Sequence, residues 1–340
     1  MIFLVLSIFV LGFFRYTTLY KNKWAYVFTI LCVLAIIPCF RLSEHIPDIK
    51  NYTWKFELFS YLSYEAVAVR ETKDTFFYFV AKALCDFGCS ASLWLFLIGL
   101  LFSICVSVFI YRESDDPYVS FVVLLSLFFF FTLSGLRQTV ALGIIMACSY
   151  KYMEKRKLFP FLLSIVVAAL FHTSAILFLP AYWICRWKLG VKQIALIVGA
   201  LVVSIFFSNL LRTFINRYAW GVMRTYAYSD IGLSWSGFVI QMAILVFCLY
   251  QYARSDEKNE KLVFFLNCMI IGLCIQSFAS VIGEAFRVSF YYSISSIAAI
   301  PLSLNTIKSI KAKNGISFAV ILILFLYIFV GEKYVNLLYI

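Results

Sequence analysis

The feature that most constrains this chain is a succession of about twelve apolar runs separated by short basic segments. A membrane-spanning helix needs about 20 mostly apolar residues, and lipid gives backbone amides no partner outside a helix or a closed barrel. The runs are too long and continuous for barrel strands, so they predict an all-α integral membrane protein. They lie at about 1–14, 24–40, 91–110, 118–133, 138–152, 158–171, 173–187, 193–210, 237–252, 262–282, 288–304 and 316–330.

The composition agrees with a single polytopic membrane domain over 1–340. Hydrophobic residues make up 64% of the chain and charged residues 14%, against roughly 45–50% and about 25% in a soluble domain. The formal charge of +12 does not indicate nucleic-acid binding, because the lysines and arginines are scattered between apolar runs. The expected partner is the lipid bilayer, spanned by a polytopic bundle of about 12 transmembrane helices with no soluble domain before or after it.

The basic residues also predict an orientation, since short cytoplasmic loops are enriched in lysine and arginine. On this rule two longer outer loops lie at about 41–75 and 211–236, and outer turns lie at 134–137, near 172 and at 283–287. The stretch 75–88, TFFYFVAKALCDFG, predicts a re-entrant or interfacial helix. The residues placed on the cytoplasmic side are Arg15, Lys21, Lys23, Arg112, Lys151, Lys155, Arg156, Lys157, Arg186, Lys188, Lys192, Arg254, Lys258, Lys261, Lys308, Lys311 and Lys313.

Ionisable groups at the outer ends of spans are the candidates for function. In SGLRQTVALGI, Arg137 and Gln138 open a helix directly after a turn. A helix N-terminus presents free amides and a positive dipole end, and an arginine there makes an anion site that suits phosphate or diphosphate. The alternative is an arginine that snorkels to lipid headgroups.

One of the two histidines, His172, interrupts the apolar stretch AALFHTSAILFLP. An imidazole can accept a proton near neutral pH, so His172 could act as general base toward a hydroxyl nucleophile. The alternative is that it caps a tight turn between two helices, with Thr173 and Ser174 as partners. The residues alone favour the capping interpretation.

A third candidate is IGEAFRVSFYY, where Glu284 and Arg287 are three residues apart and Arg287 and Tyr291 four apart. These spacings place the side chains on one helix face. Either the ion pair neutralises itself, or Arg287 adds a second cation to an anion site.

Two outer segments give weaker signals. The loop 209–230 interleaves Arg212, Arg217 and Arg224 with aromatic residues, which suits phosphates and sugar rings but equally an interfacial aromatic belt. Asp48 and Tyr52 stand one helical turn apart in the first outer loop. The cysteines and the acids near His45 match no metal-ligand spacing, so the sequence predicts no metal site and no cofactor.

Taken in order, these pieces resemble the EpsG-type, Wzy-like bacterial polysaccharide polymerases. The resemblance covers most of the chain and is carried by DIKNY with Asp48 and Tyr52, by GLRQTVALGIIMACSYKYMEKRK, by LFHTSAILFLPAYW, and by FRVSFYY with Arg287. The Asp48 stretch departs from the family pattern, because Ile46 and Pro47 stand where a glycine is common.

The resemblance implies an enzyme that polymerises undecaprenyl diphosphate-linked repeat units at the outer face of the bacterial cytoplasmic membrane, yielding O-antigen, capsule or exopolysaccharide. It implies an inverting, metal-independent glycosyl transfer with His172, Arg137 and Arg287 as catalytic residues. It further implies a chain-length regulator and a flippase of the same pathway as partners. The residues expected to bind substrate are Gln138, Asp48, Tyr52, Arg217, Arg224, Glu284 and Tyr291.

Two other functional classes fit parts of the pattern. A lipid-linked oligosaccharide flippase handles the same anionic lipid, but it needs charged groups along a path through the membrane rather than at outer span ends. A membrane acyltransferase also uses a histidine within a helical bundle. It needs a further acidic or amide partner beside the base and an inner acyl-donor site, and the sequence identifies neither.

Overall fold

A computed structural model describes residues 2–37, 46–218 and 235–330. Within these ranges the chain is helical and contains no β-strand. In chain order the helices are α1 Ile2–Phe14, α2 Thr18–Lys21, α3 Lys23–Ile36, α4 Pro47–Phe59, α5 Tyr64–Arg70, α6 Thr75–Asp86, α7 Ala91–Glu113, α8 Pro117–Leu127, α9 Phe129–Ser134, α10 Leu136–Ile144, α11 Tyr150–Glu154, α12 Leu158–Phe171, α13 Ala181–Ile184, α14 Val191–Phe206, α15 Ser208–Tyr218, α16 Trp235–Arg254, α17 Glu260–Ser277, α18 Ala285–Ser293, α19 Ser296–Asn305 and α20 Ile310–Val330.

Four of the described helices are long and apolar enough to cross a bilayer, namely Ala91–Glu113, Gly237–Arg254, Glu260–Ser277 and Ile310–Phe329. A fifth candidate is the pair Val191–Phe206 and Ser208–Phe214, bent by 76°. Wherever the structure describes the predicted apolar runs they coincide with helical structure, so the predicted all-helical membrane protein is supported. The count of about 12 spans stays a prediction.

Several predicted spans miss the required length because their helices are interrupted. The run 118–133 is divided at Phe128 into α8 and α9, and the run 138–152 contains a π-helical turn at Ile145–Ser149. After His172 the chain continues as a 3₁₀-helix, Thr173–Phe178, before the short α13. Breaks of this kind are tolerated in membrane helices where neighbouring groups satisfy the freed backbone.

Capping side chains begin two of the long helices, α7 and α17. The Ser90 hydroxyl accepts a hydrogen bond from the amide of Leu93 at the start of α7. The Asn259 side chain accepts from the amides of Lys261 and Leu262 at the start of α17. Such caps satisfy amides that the first helical turn leaves without a partner.

The chain forms two compact units: Met1–Ile176 with Lys311–Ile340, here unit 1, and Leu177–Ile310, here unit 2. The prediction of a single membrane domain is not tested by this division. In unit 1, α7 packs on α3 and α10, and α10 packs on α12. In unit 2, α17 packs on α14, α16 and α18.

The first predicted outer loop proves to be largely helical. It contains α4 and α5, and the predicted amphipathic helix after it is present as α6. One face of α6 buries Phe77, Tyr78 and Ala81. The second predicted outer loop begins as α15, and 219–234 lies outside the described residues.

Candidate functional site

The carboxylate of Asp74 lies at the centre of an ionic cluster in unit 1. Its side chain has no solvent exposure, and four donors surround it. Oδ2 lies 3.0 Å from Arg137 Nη1 and 2.8 Å from His172 Nδ1. Oδ1 accepts from the Thr173 amide at 2.9 Å and from the Thr173 hydroxyl at 2.8 Å. Three segments that the sequence places on the outer side, before α6, before α10 and after α12, therefore meet at one carboxylate.

The cluster keeps Asp74 ionised. Burial alone would raise the pKa of Asp74, but the hydrogen bonds from His172 and Thr173 outweigh it and hold that pKa well below the usual carboxyl range. An ionised carboxylate can only accept hydrogen bonds, so Nδ1 of His172 must be the donor in this contact.

Arg137 stands in the first turn of α10, as the sequence predicted. Its Nε donates to the Tyr52 hydroxyl at 3.2 Å, and its guanidinium lies 5.8 Å from the ring centroid of Tyr78. The side chain is 25% exposed, and Nη2 has no hydrogen-bond partner among the described residues. The arginine is thus held on one side while Nη2 remains available to an anion.

His172 follows the last residue of α12. Its amide donates to the Ala168 carbonyl, and its own carbonyl accepts from the amide of Ala175. The ring hydrogen-bonds Asp74, whereas the capping interpretation named Thr173 and Ser174 as partners. The side chain is 13% exposed, and Nε2 has no partner within the part of the chain that the structure describes.

Two tyrosines lie next to Arg137 in the cluster, Tyr52 from α4 and Tyr78 from α6. Burial raises the pKa of Tyr52, although Arg137 opposes the shift, so the hydroxyl of Tyr52 stays protonated. Tyr78 also lies close to Lys55, whose Nζ is 4.9 Å from the ring centroid and 2.7 Å from Glu71 Oε2. Tyr78 is therefore in contact with two cations, each paired with a buried acid.

This arrangement offers a proton acceptor and an anion-binding donor side by side. Since Nδ1 donates to Asp74, Nε2 of neutral His172 carries the free lone pair. Nη2 of Arg137 belongs to a guanidinium bonded to the same carboxylate oxygen. Base and cation pairs of this kind suit reactions in which a hydroxyl loses a proton while an anionic group departs.

Other predicted site residues lie in unit 2. Arg287 Nη1 lies 3.2 Å from Glu284 Oε2 across one turn at the start of α18, so these two side chains form an ion pair. Tyr291 on the same helix is fully buried. Their participation in a site with Arg137 stays a prediction.

The remaining predicted residues are placed as follows. Asp48 and Tyr52 stand one turn apart on α4, but only Tyr52 contacts the cluster, and Asp48 is exposed. Gln138 is buried next to Arg137. Arg217 is exposed near the end of α15, and Arg224 lies outside the described residues.

Sequence reasoning did not identify Asp74 or Tyr78. It also did not identify Thr173 as a hydrogen-bond donor to Asp74. Asp74 ends the polar stretch ETKD directly before an amphipathic helix, where an acid is usually a helix cap. One signal could have identified Asp74: Arg137 and His172 are predicted on the same side of the membrane, and buried ionisable groups there need a nearby counter-ion.

Comparison with protein families gives one match: a model described as the EpsG family matches residues 23–337, nearly the whole chain. Comparison with curated proteins and with solved structures gives no significant match.

Proposed function

The chain belongs to the EpsG family, and from that premise we propose that it is a membrane polysaccharide polymerase that joins undecaprenyl diphosphate-linked repeat units. The acceptor is the hydroxyl of one lipid-linked unit, and the donor is the growing chain on a second lipid diphosphate. The reaction takes place at the outer face of the bacterial cytoplasmic membrane. The product is a surface glycan of the O-antigen, capsule or exopolysaccharide type.

One displacement accounts for the transfer. The acceptor oxygen attacks the anomeric carbon of the donor sugar, and the bond from that carbon to the diphosphate oxygen breaks. The electron pair leaves with the lipid diphosphate, and the configuration at the anomeric carbon inverts. The proton of the acceptor hydroxyl passes to Nε2 of His172, or His172 only orients that hydroxyl while the proton leaves to solvent.

The single observation that supports this proposal is that Asp74 joins His172 and Arg137 through one oxygen. The base and the cation are needed at opposite ends of the same displacement, one at the attacking hydroxyl and one at the departing diphosphate. A preorganised cation near developing negative charge is worth several kcal/mol to such a step, about 3–4 kcal/mol for one donor. No metal is required for charge stabilisation in this scheme.

Arg287 is proposed as a second diphosphate ligand. The side chains of Arg287 and Glu284 are 38% and 26% exposed, so a substrate can reach the pair. Glu284 would then either share Arg287 with the diphosphate or release it. Gln138, Asp48, Tyr52, Tyr291, Arg217 and Arg224 are proposed as substrate-binding residues.

Purified protein in liposomes, supplied with lipid diphosphate-linked repeat units, should extend them into longer lipid-linked products. His172→Ala, which removes the base, should lower turnover by about 10²–10⁴-fold. Arg137→Ala, which removes one cation, should cost about 10²–10³-fold. Arg254→Ala, which removes an exposed arginine at the end of α16, is the matched control and should retain activity.

Extension should also persist when the assay contains a chelator of divalent cations. Normal chain growth by all of His172→Ala, Arg137→Ala and Arg287→Ala would refute the site. Transfer of intact repeat units across the bilayer without any elongation would instead indicate a flippase.

A further inference from the structure

We propose that Asp74 is the positioning residue of this site: it holds His172 in the tautomer that exposes the Nε2 lone pair, and it sets Arg137 beside that ring. The tautomer is a property of the folded protein and can be measured without substrate. Only its catalytic consequence rests on the proposed function.

The Asp74 side chain has no capping role in its own helix. It precedes α6 directly, where an aspartate normally accepts from the amides of the first turn. Here no side-chain cap hydrogen bond forms, and the backbone of Asp74 is left-handed, with φ 57° and ψ 39°. A left-handed non-glycine residue and an unused cap each cost about 1 kcal/mol. Local costs of this kind typically accompany sites that hold a side chain for function.

Both oxygens of the Asp74 carboxylate are held by hydrogen bonds. Thr173 donates both its amide and its hydroxyl to Oδ1, at 2.9 and 2.8 Å. Oδ2 is thereby turned toward His172 and Arg137. Because Thr173 is the next residue after His172, the carboxylate and the imidazole are anchored to the same stretch of backbone. Rotation of the ring would break the hydrogen bond from Nδ1 to Oδ2.

The Asp74 carboxylate also stabilises the positive charge that develops on His172 during the reaction. When Nε2 takes a proton, the ring becomes a cation next to the positively charged Arg137. The carboxylate between them, fully buried and bonded to both, stabilises that cation. Without Asp74, the two groups would repel each other in a site that is largely closed to water.

The first experiment reads the tautomer directly. The chain has only two histidines, so His45→Gln leaves His172 as the sole imidazole. In this background the ¹⁵N spectrum of histidine-labelled protein in liposomes, recorded above pH 8, should show a protonated Nδ1 and an unprotonated Nε2. A spectrum in which Nε2 carries the proton would overturn the proposal on the unmutated site alone.

The second experiment compares variants in that background. Asp74→Asn keeps the shape and tolerates the left-handed backbone, but its NH₂ group can donate to Nδ1 and so should move the proton to Nε2. Asp256→Asn is the matched control, because Asp256 forms an exposed pair with Lys308, and it should leave the ¹⁵N spectrum unchanged. An Asp74→Asn spectrum identical to that of the parent would also overturn the proposal.

The catalytic consequence is measured in the elongation assay. Asp74→Asn should lower kcat by about 10²–10⁴-fold, the range of a general base, and change the KM for lipid-linked units by less than about tenfold. A purely structural role would instead lower the yield of folded protein and leave the kcat of the folded fraction intact. If the NMR result holds and no variant or wild-type protein elongates glycans, the tautomer inference stands and the proposed function fails.

Discussion

At the residue scale, the hydrogen bonds of the buried Asp74 carboxylate both position the site residues and stabilise the folded protein. It accepts four hydrogen bonds, two from groups that carry or can carry positive charge. Hydrogen bonds to charged groups are stronger than neutral ones, at about 1.5–3 kcal/mol each. Removing one partner of a buried pair is costly, because the other charge is left in a poorly solvated place.

Acid should therefore destabilise unit 1 through Asp74. The native pKa of this carboxyl is lowered, so the unfolded chain binds the proton first, and stability is lost as the pH falls from about 4 toward the native pKa. The ionisable side chains that face the carboxyl are Arg137 and His172. Asp74→Asn should lose about 3–5 kcal/mol at pH 7, and its deficit relative to wild type should shrink below about pH 4.

Thermal unfolding in detergent between pH 7 and pH 3 would measure this difference. Asp256→Asn removes an exposed carboxylate and should shift stability by less than about 0.5 kcal/mol. A deficit of Asp74→Asn that stays constant with pH would contradict the assignment.

The sequence identified two of the three central groups at this site for a physical reason. An arginine and a histidine at the ends of apolar runs are expensive in a membrane protein, so Arg137 and His172 stood out by residue type alone. Asp74 did not stand out, because the outer segment also contains Asp48, Glu57, Glu65 and Glu71. Which acid turns inward depends on how α4, α5 and α6 pack, and that is tertiary information.

At the element scale, apolar runs located the helices well, whereas their interruptions were not predictable. Hydropathy does not predict the break at Phe128 or the π-helical turn at Ile145–Ser149, because both lie inside predominantly apolar sequence. The guanidinium of Arg112 donates hydrogen bonds to two carbonyls of the π-helical turn, those of Met146 and Ala147. The arginine sits 34 residues away in sequence, so only the fold reveals the pairing.

Close packing of α17 on α18 depends on Gly272. A Cβ at this position would lie 2.5 Å from Ser293 Oγ and 3.0 Å from the Ser293 backbone nitrogen. Ser293 cannot move freely, because its hydroxyl donates to Gln241 Oε1 on α16 at 2.8 Å. Gly272→Ala should therefore destabilise unit 2 by about 1–3 kcal/mol, the usual cost of overpacking.

The control for this prediction is Gly199→Ala in α14, where an added Cβ would meet no atom within 4 Å. Alanine favours helix over glycine by about 0.5–1 kcal/mol, so this variant should be neutral or slightly more stable. Unfolding temperatures in detergent would compare the two variants. Equal effects of both substitutions would mean that helix propensity, not the contact with Ser293, dominates at Gly272.

At the scale of the whole molecule, two ionic clusters of unit 1 lie near opposite ends of the helix α7. Tyr52, which bonds Arg137, packs against Trp94 in the first turn of α7, with ring centroids 6.2 Å apart. Just beyond the other end of α7, Asp116 pairs with Arg15. A helix of 23 residues is about 34 Å long, slightly more than the hydrocarbon thickness of a bilayer. The length of α7 therefore suits a placement of the two clusters at opposite membrane surfaces. Which surface each cluster faces stays a prediction.

This separation gives a test of topology. Reporter domains fused after Gly135 or after Thr173 should be active on the outer side, and those fused after Asp115 or after Lys155 on the cytoplasmic side. The expectation requires the interrupted pair α8 and α9 to cross the membrane together. Identical sidedness at Asp115 and Gly135 would show that this pair does not cross. A cytoplasmic reporter after Thr173 would place His172 away from any outer substrate and refute the proposed reaction site, while the Asp74 hydrogen bonds would remain as a structural feature.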